Sequence, residues 1–263
     1  MNKNQFFGHL TLKNKNKGYC PVCERKTLFI ENGPWLRDNY LCVKCNSIPR
    51  ERALVHAMNT FIPGCTDMKV HESSPGTVNS TYISKKCKDY SYSHYFPDTE
   101  CGSYENGVRC ENLEKLTFDD GSMDISTTQD VFEHIIDPHK AFREIGRVLR
   151  PGGLHVFTVP MHKEFEKSRP GIKLENGNII NMMEPVYHGN LIDLDGSMVT
   201  WDHGRWTLPN SSTRARASIQ PPIISTIDDW GSTGSSSRRS SRGNNLIAVV
   251  YSKEHGLNLY EAG

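Results

Sequence analysis

The strongest periodic pattern of the chain lies between residues 137 and 160. Asp137 and Pro138 form a helix-start signal, because Asp caps free backbone N–H groups and Pro is tolerated at the first helical position. Residues 151–153, Pro-Gly-Gly, end the helix, and the β-branched and aromatic run at 154–159 predicts a strand. The apolar positions that recur at helical spacing between these signals are Ala141, Phe142, Ile145, Val148 and Leu149.

Two further elements extend the pattern towards the amino terminus. Residues 123–128 predict a weaker strand, so the strand–helix–strand order indicates a parallel sheet covered by helices. Ligands of such sheets bind beyond the carboxyl ends of the strands, which directs attention to residues 129–134 and 160–162. Residues 48–64 read "IPRERALVHAMNTFIPG" and predict another helix. We expect Arg50 and Arg52 on its solvated face, with contact to an anionic substrate as the alternative.

Composition limits the class of protein. A chain of 263 residues can form one main domain and a small module. The formal net charge of +1 does not indicate a protein that coats polyanions, although residues 1–52 carry ten Lys/Arg and four Asp/Glu. The sequence contains no run that is long and apolar enough for a signal peptide or a membrane span. We therefore expect a cytoplasmic location and no membrane partner.

Four of the eight cysteines form two closely spaced pairs. The pairs are separated by eighteen residues, a spacer that suits a β-hairpin, and each pair can present two thiolates to one ion. Four sulfurs complete the tetrahedral shell of a structural Zn²⁺ site and leave no position for a substrate. The predicted ligands are Cys20, Cys23, Cys42 and Cys45. The other four cysteines are expected to be small buried residues or idle thiols.

The stretch "DVFEHIIDPHKAFREIGRVLRPGG", residues 130–153, resembles the segment after the fourth strand of class I S-adenosylmethionine-dependent methyltransferases. The resemblance implies an α/β fold, a Rossmann-like sheet with helices on both faces, preceded here by a small four-cysteine zinc ribbon. We expect the ribbon at 1–48, a connecting helix at 49–66 and the methyltransferase-like domain at 67–263. That domain would contain an insertion at about 163–204 and disordered Ser/Arg-rich loops at about 205–220 and 231–244.

The same resemblance implies where S-adenosylmethionine would bind. The family's acidic residue and glycine-rich turn correspond to "HESSPG", in which Glu72 takes the acidic position, Ser74 replaces a glycine and Gly76 matches one. Asn112 and Leu113 stand where the family has an Asp-Leu pair that reads adenine, and an Asn oxygen can accept the same hydrogen bond. Gln129, at the end of the fourth strand, completes the expected set. The second strand, in "KDYSYSHYFPD", lacks the family's terminal acid.

Four residues are candidates for contact with the methyl acceptor. Glu133 and His134 follow the fourth strand, where His134 is expected mainly to cap the turn. Tyr187 and His188 lie in "EPVYHGN", which resembles a segment of zinc-ribbon-bearing methyltransferases of cell-surface sugar pathways. His188 would then act as a base for a hydroxyl. The alternative is a structured loop whose polar side chains bond to backbone groups.

These observations leave three functions open. The first is a methyltransferase that acts on a hydroxyl of a small molecule or glycan precursor, with S-adenosylmethionine as methyl donor. The second is a non-catalytic binding or scaffold protein with a decayed cofactor site. The third, an RNA methyltransferase that docks through the basic ribbon, is disfavoured by the near-neutral charge and the lack of an N-P-P-Y motif. At the carboxyl end, "PPIISTIDDW" and "NLIAVVYSKE" are expected to form an antiparallel hairpin.

Overall fold

A computed structural model describes residues 15–162, 164–165, 167–189, 195–204, 245–252 and 256–262. Its centre is an eight-stranded mixed sheet in the order β17-β16-β9-β8-β4-β5-β7-β6. The pairs β5–β7, β4–β5, β4–β8 and β8–β9 are parallel. The strands are β4 (Lys69–Ser73), β5 (Asp89–His94), β6 (Tyr104–Glu105), β7 (Val108–Cys110), β8 (Met123–Gln129), β9 (Leu149–Met161), β16 (Asn245–Ser252) and β17 (Gly256–Ala262).

Helices cover both faces of this sheet, as the sequence predicts. The apolar sides of α2 (Pro49–Phe61) and α3 (Val78–Lys86) share one core with β4, β8 and β9. The apolar side of α4 (Pro138–Val148) packs in a second core against β8, β9 and the turn that follows β8. The fold class of the sequence analysis is therefore confirmed. None of the helices in the described ranges is both long and apolar enough to cross a membrane.

The amino-terminal module is a separate three-stranded antiparallel sheet. It consists of β1 (Lys15–Cys20), β2 (Arg25–Glu31) and β3 (Tyr40–Cys42), with the single helical turn α1 (Leu36–Asn39) before β3. The pairing of β2 with β3 supplies the hairpin expected between the two cysteine pairs. Val55 of α2 packs into the small core of this module. The domain boundaries stated above stay a prediction.

The two arginines at the start of α2 are not solvated, so that expectation is wrong. The Arg52 side chain is 1% exposed, its guanidinium lies over the Phe29 ring, and it donates to the carbonyl oxygens of Tyr40 and Ser47. Arg50 is half-buried and pairs with Asp38. The helical periodicity of the apolar residues in α2 predicts which side of the helix faces the main core. It does not show that the amino-terminal module covers the side that carries Arg50 and Arg52.

The helix-to-strand transition at residues 148–154 explains the Pro-Gly-Gly motif. The Asp137 side chain caps α4 by accepting a hydrogen bond from the Lys140 N–H at 3.1 Å, as predicted. After the helix, β9 begins at Leu149 and its register against β8 shifts before Leu154. A Cβ atom on Gly153 would lie 2.9 Å from the Arg150 carbonyl oxygen and 3.0 Å from that of Asp124. Only glycine allows the backbone to pass here.

Gly153→Ala is therefore expected to destabilise the protein by about 1–3 kcal/mol, because backbone atoms must move to admit the methyl group. The matched control is Gly64→Ala, since a Cβ atom there meets nothing within 4 Å. Urea unfolding of both variants measures the difference. Equal midpoints for the two variants would contradict the crowding at Gly153.

The carboxyl-terminal hairpin differs in part from the expectation. Residues 245–252 form β16 as predicted, and β16 pairs antiparallel with β9. Its other neighbour is β17, at residues 256–262, for which no strand was predicted. The stretch "PPIISTIDDW" and the two Ser/Arg-rich loops lie outside the described residues.

Short strand pairs make up the described part of the predicted insertion. They are β10 (Arg169–Pro170) with β15 (Trp201–Asp202), β11 (Ile172–Glu175) with β12 (Asn178–Asn181), and β13 (Tyr187–His188) with β14 (Ser197–Met198). Thr200 fixes this segment to the turn after β8: its N–H donates to the Glu133 carbonyl oxygen at 2.7 Å, and its hydroxyl lies 2.7 Å from that of Ile135. The insertion thus lies against the carboxyl end of β8.

Candidate functional site

The four amino-terminal cysteines meet at one point. The Sγ atoms of Cys20 and Cys45 are 3.7 Å apart, and those of Cys23 and Cys42 are 3.9 Å apart. Zinc bonded tetrahedrally to sulfur at about 2.3 Å requires sulfurs separated by about 3.8 Å. All four sulfurs lie within 4.8 Å of one another. The donor set and its spacing therefore fit one Zn²⁺ ion.

The local backbone explains why each pair turns inwards. The residue after each pair, Glu24 and Asn46, adopts a left-handed conformation with φ values of 53° and 60°. This conformation closes each cysteine pair into a tight knuckle, and Asn is among the residues that tolerate it best. The Ser47 hydroxyl lies 3.3 Å from the Cys20 sulfur and 3.2 Å from the Cys45 sulfur. Hydroxyl contacts of this kind support sulfurs that carry negative charge.

The loop after β4 is held by an internal hydrogen-bond network. The Glu72 carboxylate accepts from the Ser80 hydroxyl at 2.9 Å and from the Tyr90 hydroxyl at 2.7 Å. The side chain is 2% exposed. Burial raises the pKa of Glu72, and the two hydroxyls oppose that rise. The geometry therefore makes Glu72 a support of the loop, and sequence reasoning missed its partners Ser80 and Tyr90.

Ser74 and Gly76 shape the turn itself. Ser74 adopts a left-handed φ of 57°, the conformation that a glycine usually supplies, and its N–H donates to the Ser93 carbonyl oxygen at 2.8 Å. The Gly76 N–H donates to the Ser80 hydroxyl at 3.3 Å. The Ser-for-Gly replacement seen in the sequence thus keeps a glycine-like turn between β4 and α3.

The remaining predicted cofactor residues lie at neighbouring strand ends. Gln129, the last residue of β8, accepts a hydrogen bond from the Asn79 side chain of α3 at 2.8 Å. Asn112 follows β7, and its side-chain oxygen accepts from the Glu114 N–H at 2.8 Å. Leu113 is buried. Since β4, β7 and β8 run in the same direction, these residues share the edge of the sheet that carries Glu72 and Gly76.

Sequence reasoning did not single out Asp130, which links the amino-terminal module to this edge. Asp130 follows β8 with a left-handed φ of 52°. It pairs with the Arg37 guanidinium, accepts from the Thr158 hydroxyl at 2.9 Å and lies 3.4 Å from Arg50 Nε. Burial alone would raise the pKa of Asp130, but the charges of Arg37 and Arg50 outweigh it and lower the pKa. The sequence signal that could have identified Asp130 is its position directly after a predicted parallel strand.

Three of the four predicted acceptor-site residues form one cluster. The Glu133 carboxylate lies 3.9 Å from His134 Nε2 and 3.8 Å from His188 Nδ1, and the two imidazole rings contact edge to face. His134 and Glu133 belong to the turn Phe132–His134 after β8, whereas His188 comes from β13 of the insertion. Tyr187 is 56% exposed, and no described contact brings it to the cluster.

The electrostatics of the cluster follow from burial. Burial, followed by the nearby Asp130 charge, raises the pKa of Glu133 well above its usual value. Burial lowers the pKa of both histidines, and for His188 the neighbouring His134 adds to that decrease. Both rings are therefore neutral at pH 7 and can accept a proton or bind an ion through a nitrogen lone pair.

Comparison with known proteins finds relatives of part of this chain. Residues 78–157 match the family model described as a methyltransferase domain. A sarcosine/dimethylglycine N-methyltransferase of Halorhodospira halochloris is 31% identical over 113 residues, which cover 41% of this chain and 39% of that protein. An S-adenosylmethionine-dependent methyltransferase from Mesorhizobium loti is similar in structure at 17% identity, with a TM-score of 0.34 over 50% of this chain and 64% of that one.

The family model therefore shows that residues 78–157 of this chain are similar to a methyltransferase domain. The matched residues run from α3 to β9 and include the turn after β8 with Glu133 and His134. The chain spans about two fifths of the length of the sarcosine/dimethylglycine relative.

Proposed function

We propose that this protein is an S-adenosylmethionine-dependent methyltransferase that transfers a methyl group to a hydroxyl of a small molecule or glycan precursor. The observation that carries the proposal is the gathering of Glu133, His134 and His188 beside the strand ends of a methyltransferase domain. We further propose that the four-cysteine site holds a structural zinc ion. Its closed four-sulfur shell leaves no position for a substrate.

The loop between β4 and α3 supports cofactor binding. When bound, S-adenosylmethionine supplies an electrophilic methyl group on a sulfonium sulfur. The glycine-like turn at Ser74 and the lack of a side chain at Gly76 allow the backbone of this loop to approach a ligand closely. We propose that Glu72 holds that turn through its hydrogen bond with Ser80, and that the Asn112 oxygen accepts a hydrogen bond from the adenine amino group. Gln129 is proposed to contact the cofactor from the strand end beside α3.

The acceptor is proposed to dock against the Glu133 cluster. The His188 side chain is 43% exposed, so an acceptor can reach it from solvent, whereas Glu133 is buried behind it. His134 holds the cluster together because its Nδ1 hydrogen-bonds to the Met198 carbonyl oxygen at 2.8 Å. Removal of the hydroxyl proton is assigned to the cluster as a unit, and most of the acceleration to positioning.

One observation favours an amine as the second acceptor class. The relative from Halorhodospira halochloris is named for methylation of sarcosine and dimethylglycine. A neutral imidazole at His188 would accept a proton from an ammonium group as well as from a hydroxyl. Mass spectrometry of reactions with hydroxyl acceptors, sarcosine and dimethylglycine distinguishes the two classes by which product gains a methyl group.

A second candidate function is a scaffold without cofactor. Both oxygens of Glu72 are engaged by Ser80 and Tyr90, and β5 ends in His94 where the family has an acid. A loop that satisfies its own hydrogen bonds does not require a ligand.

Calorimetric titration with S-adenosylmethionine and S-adenosylhomocysteine decides between these functions. We expect micromolar binding by the zinc-loaded protein, weakened about tenfold by Asn112→Ala through loss of one hydrogen bond. The control is Lys173→Ala, since Lys173 is exposed on the β11–β12 hairpin and pairs only with Glu175 among the described residues. Binding unchanged in Asn112→Ala would refute its assigned role. No heat with either ligand, from folded protein, would favour the scaffold.

A further inference from the structure

The Glu133 cluster has the composition of a metal site. Its three side chains come from two segments more than fifty residues apart, and one ligand atom of each lies within 4.8 Å of the others. Two of the separations are 3.8 and 3.9 Å, both measured from one Glu133 oxygen. Tetrahedral zinc with ligands at about 2.1 Å needs separations of about 3.4 Å. Side-chain rotations that move the ligand atoms by a few tenths of an ångström would close this difference.

The hydrogen bond of His134 fixes which nitrogen faces the cluster. A carbonyl oxygen only accepts hydrogen bonds, so the contact of 2.8 Å with Met198 O requires the proton of His134 on Nδ1. The other nitrogen, Nε2, then presents its lone pair towards Glu133. Metal-binding histidines almost always donate their second ring N–H to a carbonyl or carboxylate in this way.

Glu133 lacks the partner that a buried carboxylate requires. The side chain is 1% exposed, and apart from its own backbone N–H no donor of the described residues reaches either carboxylate oxygen. The two nearest arginines, Arg37 and Arg50, are already shared between Asp38 and Asp130. A buried carboxylate that faces the lone pair of His134 Nε2 and lies 3.8 Å from His188 Nδ1, without a hydrogen-bond donor among the described side chains, is stabilised by a proton or a cation in the cluster.

We propose that Glu133, His134 and His188 bind one divalent transition-metal ion, with Zn²⁺ as the first candidate. Two imidazoles and one carboxylate suit zinc or iron rather than Mg²⁺, which prefers oxygen ligands. Three protein ligands leave a coordination position open, and the exposure of His188 places that position towards solvent. On the proposed function, the open position takes the oxygen of the acceptor, and His188 is then a ligand of the ion.

Metal titration of the full-length protein with its four-cysteine site already loaded tests this inference. With the four-cysteine site loaded by one Zn²⁺ or one Co²⁺, we expect wild type to bind one further equivalent of the same ion, which makes two equivalents in all. The second Co²⁺ should show the weak absorption of a nitrogen and oxygen site, without the intense sulfur charge-transfer bands of the first. Glu133→Gln and His188→Ala should each weaken the second equivalent by more than about 100-fold, the upper end of what loss of an outer-shell partner costs.

His139→Ala is the matched control, because it removes an exposed imidazole on α4 and should leave two equivalents bound. A single equivalent in folded wild type would overturn the inference and leave a proton as the occupant of the cluster. Two equivalents in His188→Ala would overturn the ligand set. S-adenosylmethionine binding measured on the same samples separates the two proposals: cofactor binding with one metal refutes only the metal site, and two metals without cofactor binding refute only the methyltransferase.

Discussion

Removal of the proposed zinc ion from the four-cysteine site is expected to unfold the β1–β3 module, at a cost on the order of 10 kcal/mol. The core of this module is small and consists largely of the cysteines themselves with Val22, Phe29, Tyr40 and Val55 of α2. Without the ion, the four sulfurs have only weak contacts with one another and with hydroxyl groups. A three-stranded sheet of this size does not bury enough apolar surface to fold alone.

The loss of structure after zinc removal should extend from the β1–β3 module to α2. Arg52 is fully buried and donates to the carbonyl oxygens of Tyr40 and Ser47, so unfolding of the module leaves its guanidinium without these acceptors. Hydrogen exchange with and without a chelator would show loss of protection in residues 15–48, weaker loss in α2 and retained protection in β8 and β9. Restored zinc should restore protection.

Cys42→Ser should have the same effect, whereas Cys101→Ser should bind the same amount of zinc as wild type because Cys101 lies outside the cluster. Metal analysis of the purified variants supplies the count. Unchanged protection of residues 15–48 after complete metal removal would show that the module folds without zinc.

The parts of the fold that the sequence predicts are those specified by local chemistry. The Asp137 cap and the 154–159 strand each depend on neighbours within a few residues, and the structure confirms both. The Pro-Gly-Gly segment was expected to end the helix, but α4 ends at Val148 and residues 151–153 lie within β9. The cysteine knuckles are predictable for the same reason, since the spacing within each pair determines the turn. Likewise, the contiguous motif at residues 130–153 is sufficient to predict the turn after β8.

The parts that the sequence does not predict depend on partners far apart in the chain. Arg37 and Asp130 are 93 positions apart, and neither lies in a periodic pattern. The engagement of Glu72 by Ser80 and Tyr90 is visible only once α3 and β5 are placed beside β4. His188 was proposed from a local motif, but its position beside Glu133 requires the fold of the insertion.

Arg37→Leu is expected to destabilise the protein by about 3 kcal/mol, because it leaves the Asp130 charge buried with only part of its compensation. The side chains of Arg37 and Asp130 are 9% and 13% exposed, so solvent screens their interaction little. Arg50 stays 3.4 Å from Asp130, which places the loss at the lower end of the range for buried pairs. The double variant with Asp130→Asn should recover most of the loss, since the buried Asp130 charge is then absent and Arg50 keeps its pair with Asp38.

The pH dependence of this effect has a defined sign. Arg37 and Arg50 lower the pKa of Asp130 in the folded state, so the ion pair contributes fully above the unfolded Asp pKa of about 3.9 and is lost as pH falls through the folded pKa. The stability gap between wild type and Arg37→Leu should be full at pH 7 and should narrow as the pH falls below the unfolded Asp pKa of about 3.9 towards the lower folded pKa of Asp130.

Urea unfolding from pH 7 to pH 3 measures this gap. Lys88→Leu is the comparison, because Lys88 pairs with Asp67 on an exposed surface and its removal should change the midpoint little at any pH. A gap for Arg37→Leu that stays constant to pH 3 would mean that its stabilising contacts do not involve the Asp130 charge. In that case Asp130 could not be the residue that couples the amino-terminal module to the strand ends where Glu133 and His134 lie.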